Sequence, residues 1–135
     1  SSGVNFLTGD SPANGLFVKP VVLEGLAPDH PLSCNEVFGP IVTMHRADTP
    51  EDALAKANSV EYGLVTGIHG RDMNLLTALA SRARSGIVKI NASTSGVDFY
   101  APFGGDKMSS YGMREQGLAA LDFYSHTTTV TLAPH

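Results

Sequence analysis

Glu36 and Phe38 stand two residues apart in the run Asn35-Glu36-Val37-Phe38-Gly39-Pro40. On an extended strand, side chains at i and i+2 point to one side, so an acid and an aromatic at this spacing can address one object together. A carboxylate accepting from two vicinal hydroxyls beside an aromatic wall is the chemistry of a ribose site. The same spacing also describes a surface glutamate next to a core phenylalanine, and the residues by themselves leave both readings open.

A second informative stretch runs from Pro102 to Gly117 and contains Phe103, Gly104, Gly105 and Glu115. A long loop of small residues with an exposed aromatic lets backbone approach a substrate. Glu115 has a plainer explanation too, as an acid at the positive end of an expected helix.

Cys34 is the single cysteine, and its neighbours Ser33 and Asn35 bring no positive charge that would lower its pKa. A packed thiol is the expectation, and a cysteine hydrolase built on it would need a paired histidine. His30 and Cys34 have metal-ligand spacing if they share a helix, but Pro31 and the irregular residues around it argue against one. No metal is expected, and His45, His69, His126 and His135 are scattered. The chain carries no G-x-G-x-x-G, no P-loop and no G-x-S-x-G. Gly63, Gly67 and Gly70 have the wrong spacing for a dinucleotide fingerprint, and Gly104 with Gly105 opens a loop.

Several elements must position these residues. Residues 4–8 read as a short strand, residues 9–15 as a turn cluster, and residues 16–26 as a second extended run that Pro20 assigns to a sheet edge. Residues 27–35 look irregular, and residues 41–44 form a third strand. Thr49, Pro50, Glu51 and Asp52 make a helix start running to about Asn58. Residues 64–68 are strand-like, and Asp72 can cap a helix with Leu75, Leu76, Leu79, Ala80 and Ala83 on one face, ended by Gly86. Residues 87–90 are another strand, followed by a loop over residues 91–112. A third helix is expected over residues 114–124 with Leu118 and Leu121 inward. A closing strand of β-branched residues runs from Thr127 at one end to Leu132 at the other, with no partner signal beside it. Alternating strands and helices in the middle predict an α/β fold with a parallel sheet and flanking helices.

The 135 residues suffice for one compact domain. Nine Lys and Arg against thirteen Asp and Glu give a net charge of -4 without a block of like charge, which excludes a general nucleic-acid or anionic-membrane binder. Charged residues are 16%, against roughly a quarter in an average soluble domain, so the chain is expected to lie against other protein. A lone cysteine suits a reducing compartment, and cytoplasm is the expectation. There is no apolar run near the roughly 20 residues of a membrane span and no signal-peptide layout. The start Ser1-Ser2-Gly3, without an initiator Met, reads as a cut or a tag remnant.

Five segments, in order, resemble motifs of the aldehyde dehydrogenase superfamily over nearly the whole chain. Gly15 to Leu23 resembles the family strand G-Y/F-F/Y-x-x-P-T-V/L-L, and Asn35 to Pro40 resembles E-E-V/I-F-G-P. Asn58 to Leu64 resembles N-x-x-x-Y-G-L, Gly86 to Asn91 resembles G-x-V-x-V/I-N, and Pro102 to Lys107 resembles P-F-G-G-x-K. The resemblance implies the C-terminal part of the catalytic domain over residues 1–126 and an oligomerisation strand and tail over residues 127–135.

It further implies that Glu36 holds the ribose hydroxyls on the nicotinamide side of NAD or NADP and that Phe38 packs beside the nicotinamide. Phe103 would line the aldehyde pocket, and the loop of residues 92–101, with Val97, would shape it. Glu115 would support a buried water path, and Asn91 would close its strand. Partners implied are a small aldehyde, the rest of the polypeptide, and further copies in a homo-dimer or homo-tetramer joined through residues 127–132. The family reaction is attack of a Cys thiolate on an aldehyde, hydride transfer to NAD(P)+ and hydrolysis of the thioester. Cys34 falls at a variable motif position, and the family's nucleophile, general base and Rossmann-type domain lie upstream of any segment present. The chain alone is therefore expected to be an inactive fragment supplying cofactor contacts and pocket walls. Lys89-Ile90-Asn91, Thr94 to Asp98 and Ser109 to Gly117 look like the branch that oxidises 2,5-dioxopentanoate (α-ketoglutarate semialdehyde). The alternative is a non-catalytic half-domain that acts as an interaction module through its last strand.

Overall fold

The computed structural model describes residues 5–6 and 16–134. The chain divides into two compact units, Ser1–Glu61 and Tyr62–His135.

In the first unit, β1 (Asn5–Phe6), β2 (Val21–Glu24) and β3 (Ile41–Met44) form one sheet in the order β1-β2-β3. β2 runs parallel to β3 with Val21 opposite Ile41, and antiparallel to β1. Pro20 thus does not make β2 an edge strand: it precedes the ladder, and Val21 N donates to Pro40 O at 2.8 Å. Between β2 and β3 lies α1 (Pro31–Cys34), one helical turn where irregular chain was expected. Pro31 occupies the first helical turn, where a missing N–H costs nothing. After β3, α2 (Pro50–Asn58) begins where its sequence places it: Thr49 Oγ1 accepts from Asp52 N at 3.1 Å, with Pro50 in the first turn.

In the second unit, β4 (Tyr62–Gly63) pairs antiparallel with β7 (Asp106–Lys107). β5 (Val65–Ile68) and β6 (Ile87–Ile90) are parallel, joined through α3 (Met73–Ala80). Asp72 Oδ1 accepts from Asn74 N and Leu75 N at 3.0 and 3.2 Å, the expected cap. Leu76 and Leu79 are the buried face of α3, which packs on β5 and β6. The helix stops at Ala80, well before Gly86: past Ser81 the backbone bonds tighten to three-residue spacing, with Arg82 N donating to Leu79 O at 3.0 Å and Ala83 N to Ala80 O at 3.3 Å.

The last helix, α4, covers only Ala119–Phe123. Residues 114–117 stay outside it, since Gln116 and Gly117 take left-handed φ of 65° and 54°. Leu118 and Leu121, expected inward, are exposed. Glu115 is consequently not a helix-start acid; it forms an isolated antiparallel bridge with Phe103. Residues 125–134 carry no helix or ladder, so the expected strand from Thr127 to Leu132 is an exposed segment with its backbone unpaired in strands. The turn cluster of residues 9–15 lies outside the described residues. Parallel strands with connecting helices make the chain α/β, as expected.

Candidate functional site

Glu36 and Phe38 belong to the first unit, between α1 and β3. Their segment is not the extended strand their spacing suggested. Gly39 N donates to Val37 O at 2.7 Å and Ile41 N donates to Gly39 O at 2.8 Å, two successive three-residue turns centred on Phe38 and Pro40. These turns display Phe38, whose side chain is 95% exposed and therefore not a core residue. Glu36 is exposed as well, and its carboxylate has no partner among the described residues. An unpaired carboxylate with free lone pairs and a bare aromatic two residues away fit a diol and a flat ring.

Cys34 and His30 lie at the two ends of α1 and bond main-chain atoms in and before it. His30 Nδ1 accepts from Leu32 N at 3.1 Å, and Cys34 Sγ donates to Pro28 O at 3.3 Å. The hydrogen bonds of both side chains run to main-chain atoms and not to each other. Among the described residues, no group of three or more His, Cys, Asp and Glu side chains could hold a metal ion. Two open cavities of about 300 and 480 Å³ in this unit share Pro28, His45 and Lys56 and include neither Glu36 nor Phe38. Lys56 Nζ is already committed, to Arg46 O at 2.7 Å and Asp52 Oδ2 at 2.6 Å.

In the second unit the structure gathers Phe103, Glu115 and the loop that follows β6. Phe103 is half-buried, and its backbone is zipped to that of Glu115. One step further, Gly117 N donates to Phe99 O at 3.1 Å, so residues 115–117 bind both the Phe103 segment and the end of the loop. Val97 is half-buried in that loop, and the Glu115 side chain is exposed. Asp98 accepts from the Tyr100 hydroxyl at 3.0 Å, and this hydrogen bond, with the carboxylate's charge, raises the phenol's pKa above its usual 10.0.

Asn91 opens the loop at a φ of 51° and clamps Gly70 from both sides: its Oδ1 accepts from Gly70 N at 2.9 Å, and its Nδ2 donates to Gly70 O at 3.0 Å. Gly63, Gly86 and Gly117 are close-packed against backbone. A Cβ on Gly86 would lie 1.8 Å from Gly104 O, and one on Gly63 would lie 2.4 Å from Arg84 O. Ser109 and Ser110 fix the turn after Gly105, their hydroxyls accepting from Gly63 N at 2.8 Å and Gly105 N at 2.6 Å. Arg114 Nη1 donates to Gly105 O. The sequence reading gave Arg114, Ser109 and Ser110 no individual role, because their partners are backbone atoms; a polar side chain close to paired glycines was the available signal.

Parallel strands with a crossover helix, and a loop of small residues leaving the C-terminal end of β6, define an α/β domain of the kind that binds ligands beyond the carboxyl ends of its strands. The aldehyde dehydrogenase family profile matches residues 1–130, and the chain belongs to that family. It is 36% identical over 121 residues to the alpha-ketoglutaric semialdehyde dehydrogenase of Bacillus subtilis, covering 90% of this chain and 25% of that protein. It is 39% identical over 123 residues to the alpha-ketoglutarate semialdehyde dehydrogenase of Haloferax volcanii, covering 90% and 26%. Among solved structures, the NAD+ complex of an aldehyde dehydrogenase from Bacillus cereus superposes with a TM-score of 0.83 at 33% identity, covering 92% of this chain and 25% of that one. The chain thus spans about a quarter of the length of the curated relatives it matches. No helix among the described residues is long and apolar enough to cross a membrane.

Proposed function

We propose that this chain supplies the nicotinamide-side cofactor contacts and part of the aldehyde pocket of an NAD(P)-dependent aldehyde dehydrogenase, acting on 2,5-dioxopentanoate to give 2-oxoglutarate. The observation that carries this reading is the pair Glu36 and Phe38, both displayed to solvent by the turns before β3, within a chain of this family. Glu36 accepts the two ribose hydroxyls, and Phe38 lies along the nicotinamide ring. NAD(P)+ supplies the hydride acceptor when bound. Phe103 and Val97 form pocket walls that orient the aldehyde and exclude water, and Glu115 lies on the route by which water reaches the reacting carbon. In this reading the nucleophile is not Cys34, whose thiol donates to Pro28 O in the turn before α1.

The semialdehyde dehydrogenases of Bacillus subtilis and Haloferax volcanii support the choice of substrate. Residues 127–132, exposed and outside any ladder, are the segment we assign to pairing with a second copy. We assign the activity to the cytoplasm, on the lone cysteine.

The test is Glu36→Gln in the full polypeptide that carries this sequence. Loss of a charged acceptor for two hydroxyls raises KM for NAD(P)+ about tenfold or more, with the aldehyde KM and the melting temperature unchanged. An unchanged nucleotide KM removes the ribose role. An acid-terminated aldehyde outcompetes a neutral one of equal length; equal kcat/KM for the two removes the substrate assignment.

A further inference from the structure

The loop after β6 folds back over the β5–β6 pair, and one lysine holds it there. Gly67 on β5 and Lys89 on β6 are register partners on parallel strands, so their side-chain positions share a face of the sheet. On that face Thr94 takes the space a side chain at Gly67 would fill: a Cβ there would lie 3.0 Å from Thr94 Cγ2. Beside it, Lys89 Nζ donates to Ser95 O at 3.1 Å and to Gly96 O. The turn between these carbonyls is made by Gly96 at a φ of 71°, and Ser93 Oγ accepts from Ser95 N at 3.2 Å to tighten it. Lys89 has no carboxylate partner among the described residues; two loop carbonyls are what its ammonium holds. The next residue is Val97.

We propose that Lys89 is a positioning residue for aldehyde specificity: its ammonium gathers the two carbonyls that precede Val97 and so fixes where the pocket loop stands. This rests on the assignment of residues 92–101 to the aldehyde pocket. An ammonium with three rotatable donors suits two converging carbonyls, and its hydrogen bonds are charge-assisted. Asn91 anchors the start of the loop on Gly70, and Lys89 anchors its crest. Removing the ammonium frees the crest and leaves the anchor at its base.

The experiment compares Lys89→Met, Lys89→Arg and Gly67→Val in the full polypeptide, reading amide hydrogen exchange and steady-state kinetics. Lys89→Met, which keeps the aliphatic stem, speeds exchange of residues 92–98 about tenfold or more and leaves Val65–Ile68 unchanged. It raises the aldehyde KM about fivefold with kcat within about twofold, because ground-state placement is what is lost. Lys89→Arg restores most of both, since a guanidinium donates to the same carbonyls. Gly67→Val presses on Thr94 from the partner strand and gives the same pattern with Lys89 intact.

Unchanged exchange of residues 92–98 in Lys89→Met overturns the proposal. So does a KM rise confined to carboxylate-bearing aldehydes with the loop unmoved, which makes Lys89 a direct contact for substrate charge. Should the full polypeptide turn over no aldehyde, the functional reading fails, while the exchange measurement still decides whether Lys89 holds the loop.

Discussion

Phe103 and Glu115 exchange two backbone hydrogen bonds, Phe103 N donating to Glu115 O at 2.6 Å and Glu115 N donating to Phe103 O at 2.9 Å. Eleven residues of chain between them are closed into a loop by this pair, and the half-buried Phe103 is held by the backbone of a residue whose own side chain is exposed. The two functions of position 115 are therefore separable. Glu115→Gln leaves stability within about 0.5 kcal/mol, as for other exposed polar changes. Glu115→Pro removes the N–H that Phe103 accepts from and lowers stability by about 2 kcal/mol or more. Urea unfolding of the two variants in the full polypeptide checks this, and equal losses would show that the side chain, rather than the backbone, carries the position.

Gly86 meets Gly104 so closely that no side chain fits. Its added Cβ would lie 1.8 Å from a carbonyl oxygen that is itself fixed by the Arg114 and Ser110 contacts around Gly105. Gly86→Ala costs about 3 kcal/mol through overpacking against rigid backbone. Gly39→Ala is the control: nothing lies within 4 Å of its Cβ position, and the change stays within about 0.5 kcal/mol. Thermal melts that ranked the two the other way would contradict the packing described for the second unit.

Phe38, at 95% exposure, contributes nothing to a core, so Phe38→Ala leaves the melting temperature where it was. Under the proposed function it weakens NAD(P)+ binding by about threefold to tenfold, the loss of one aromatic face. Nucleotide titration of the variant measures this. A drop in melting temperature without any change in nucleotide affinity would assign Phe38 to an interface instead.

Asp52 accepts from Lys56 Nζ at 2.6 Å and from Asp48 N at 3.1 Å, and these hydrogen bonds hold its carboxyl below the usual 3.8. A carboxyl whose pKa is lower in the folded state stabilises it fully above the ordinary value. That stabilisation disappears as pH falls through the lowered folded value. Lys56→Met therefore flattens the acid limb of the stability curve and leaves the stability difference from the parent the same at pH 6 and pH 8. An unchanged acid limb in the variant refutes the assignment.

Local signals made α2, α3 and β6 legible in the sequence. Thr49 and Asp72 announce their caps, and Leu76 and Leu79 fall at helical spacing on the buried face. Signals that depend on neighbours misled. Pro20 reads as an edge marker, yet β2 is central because β1 and β3 take its two sides. Pro31 reads as a breaker, yet it starts α1. Leu118 and Leu121 have helical spacing, but the left-handed backbone at Gln116 and Gly117 delays α4, and both side chains face solvent. At the site, Glu36 and Phe38 are found by residue type and motif, while the turns that display them are invisible to a spacing argument that assumes a strand. Lys89 stands out in the sequence only as part of a branch motif, and its hold on the loop has no signature, since its acceptors are main-chain oxygens six and seven residues on.

Leu23, Leu26, Leu76 and Leu79 are the buried apolar side chains among the described residues, while Phe38, Leu118, Leu132 and many others stand in water in the folded chain. Unfolding this chain by itself would thus expose little apolar surface that is not wet already. Its heat-capacity increment falls below the roughly 12–15 cal/mol/K per residue usual for globular proteins. The stability curve of the isolated chain is correspondingly flat, with a broad melt and a shallow response to denaturant.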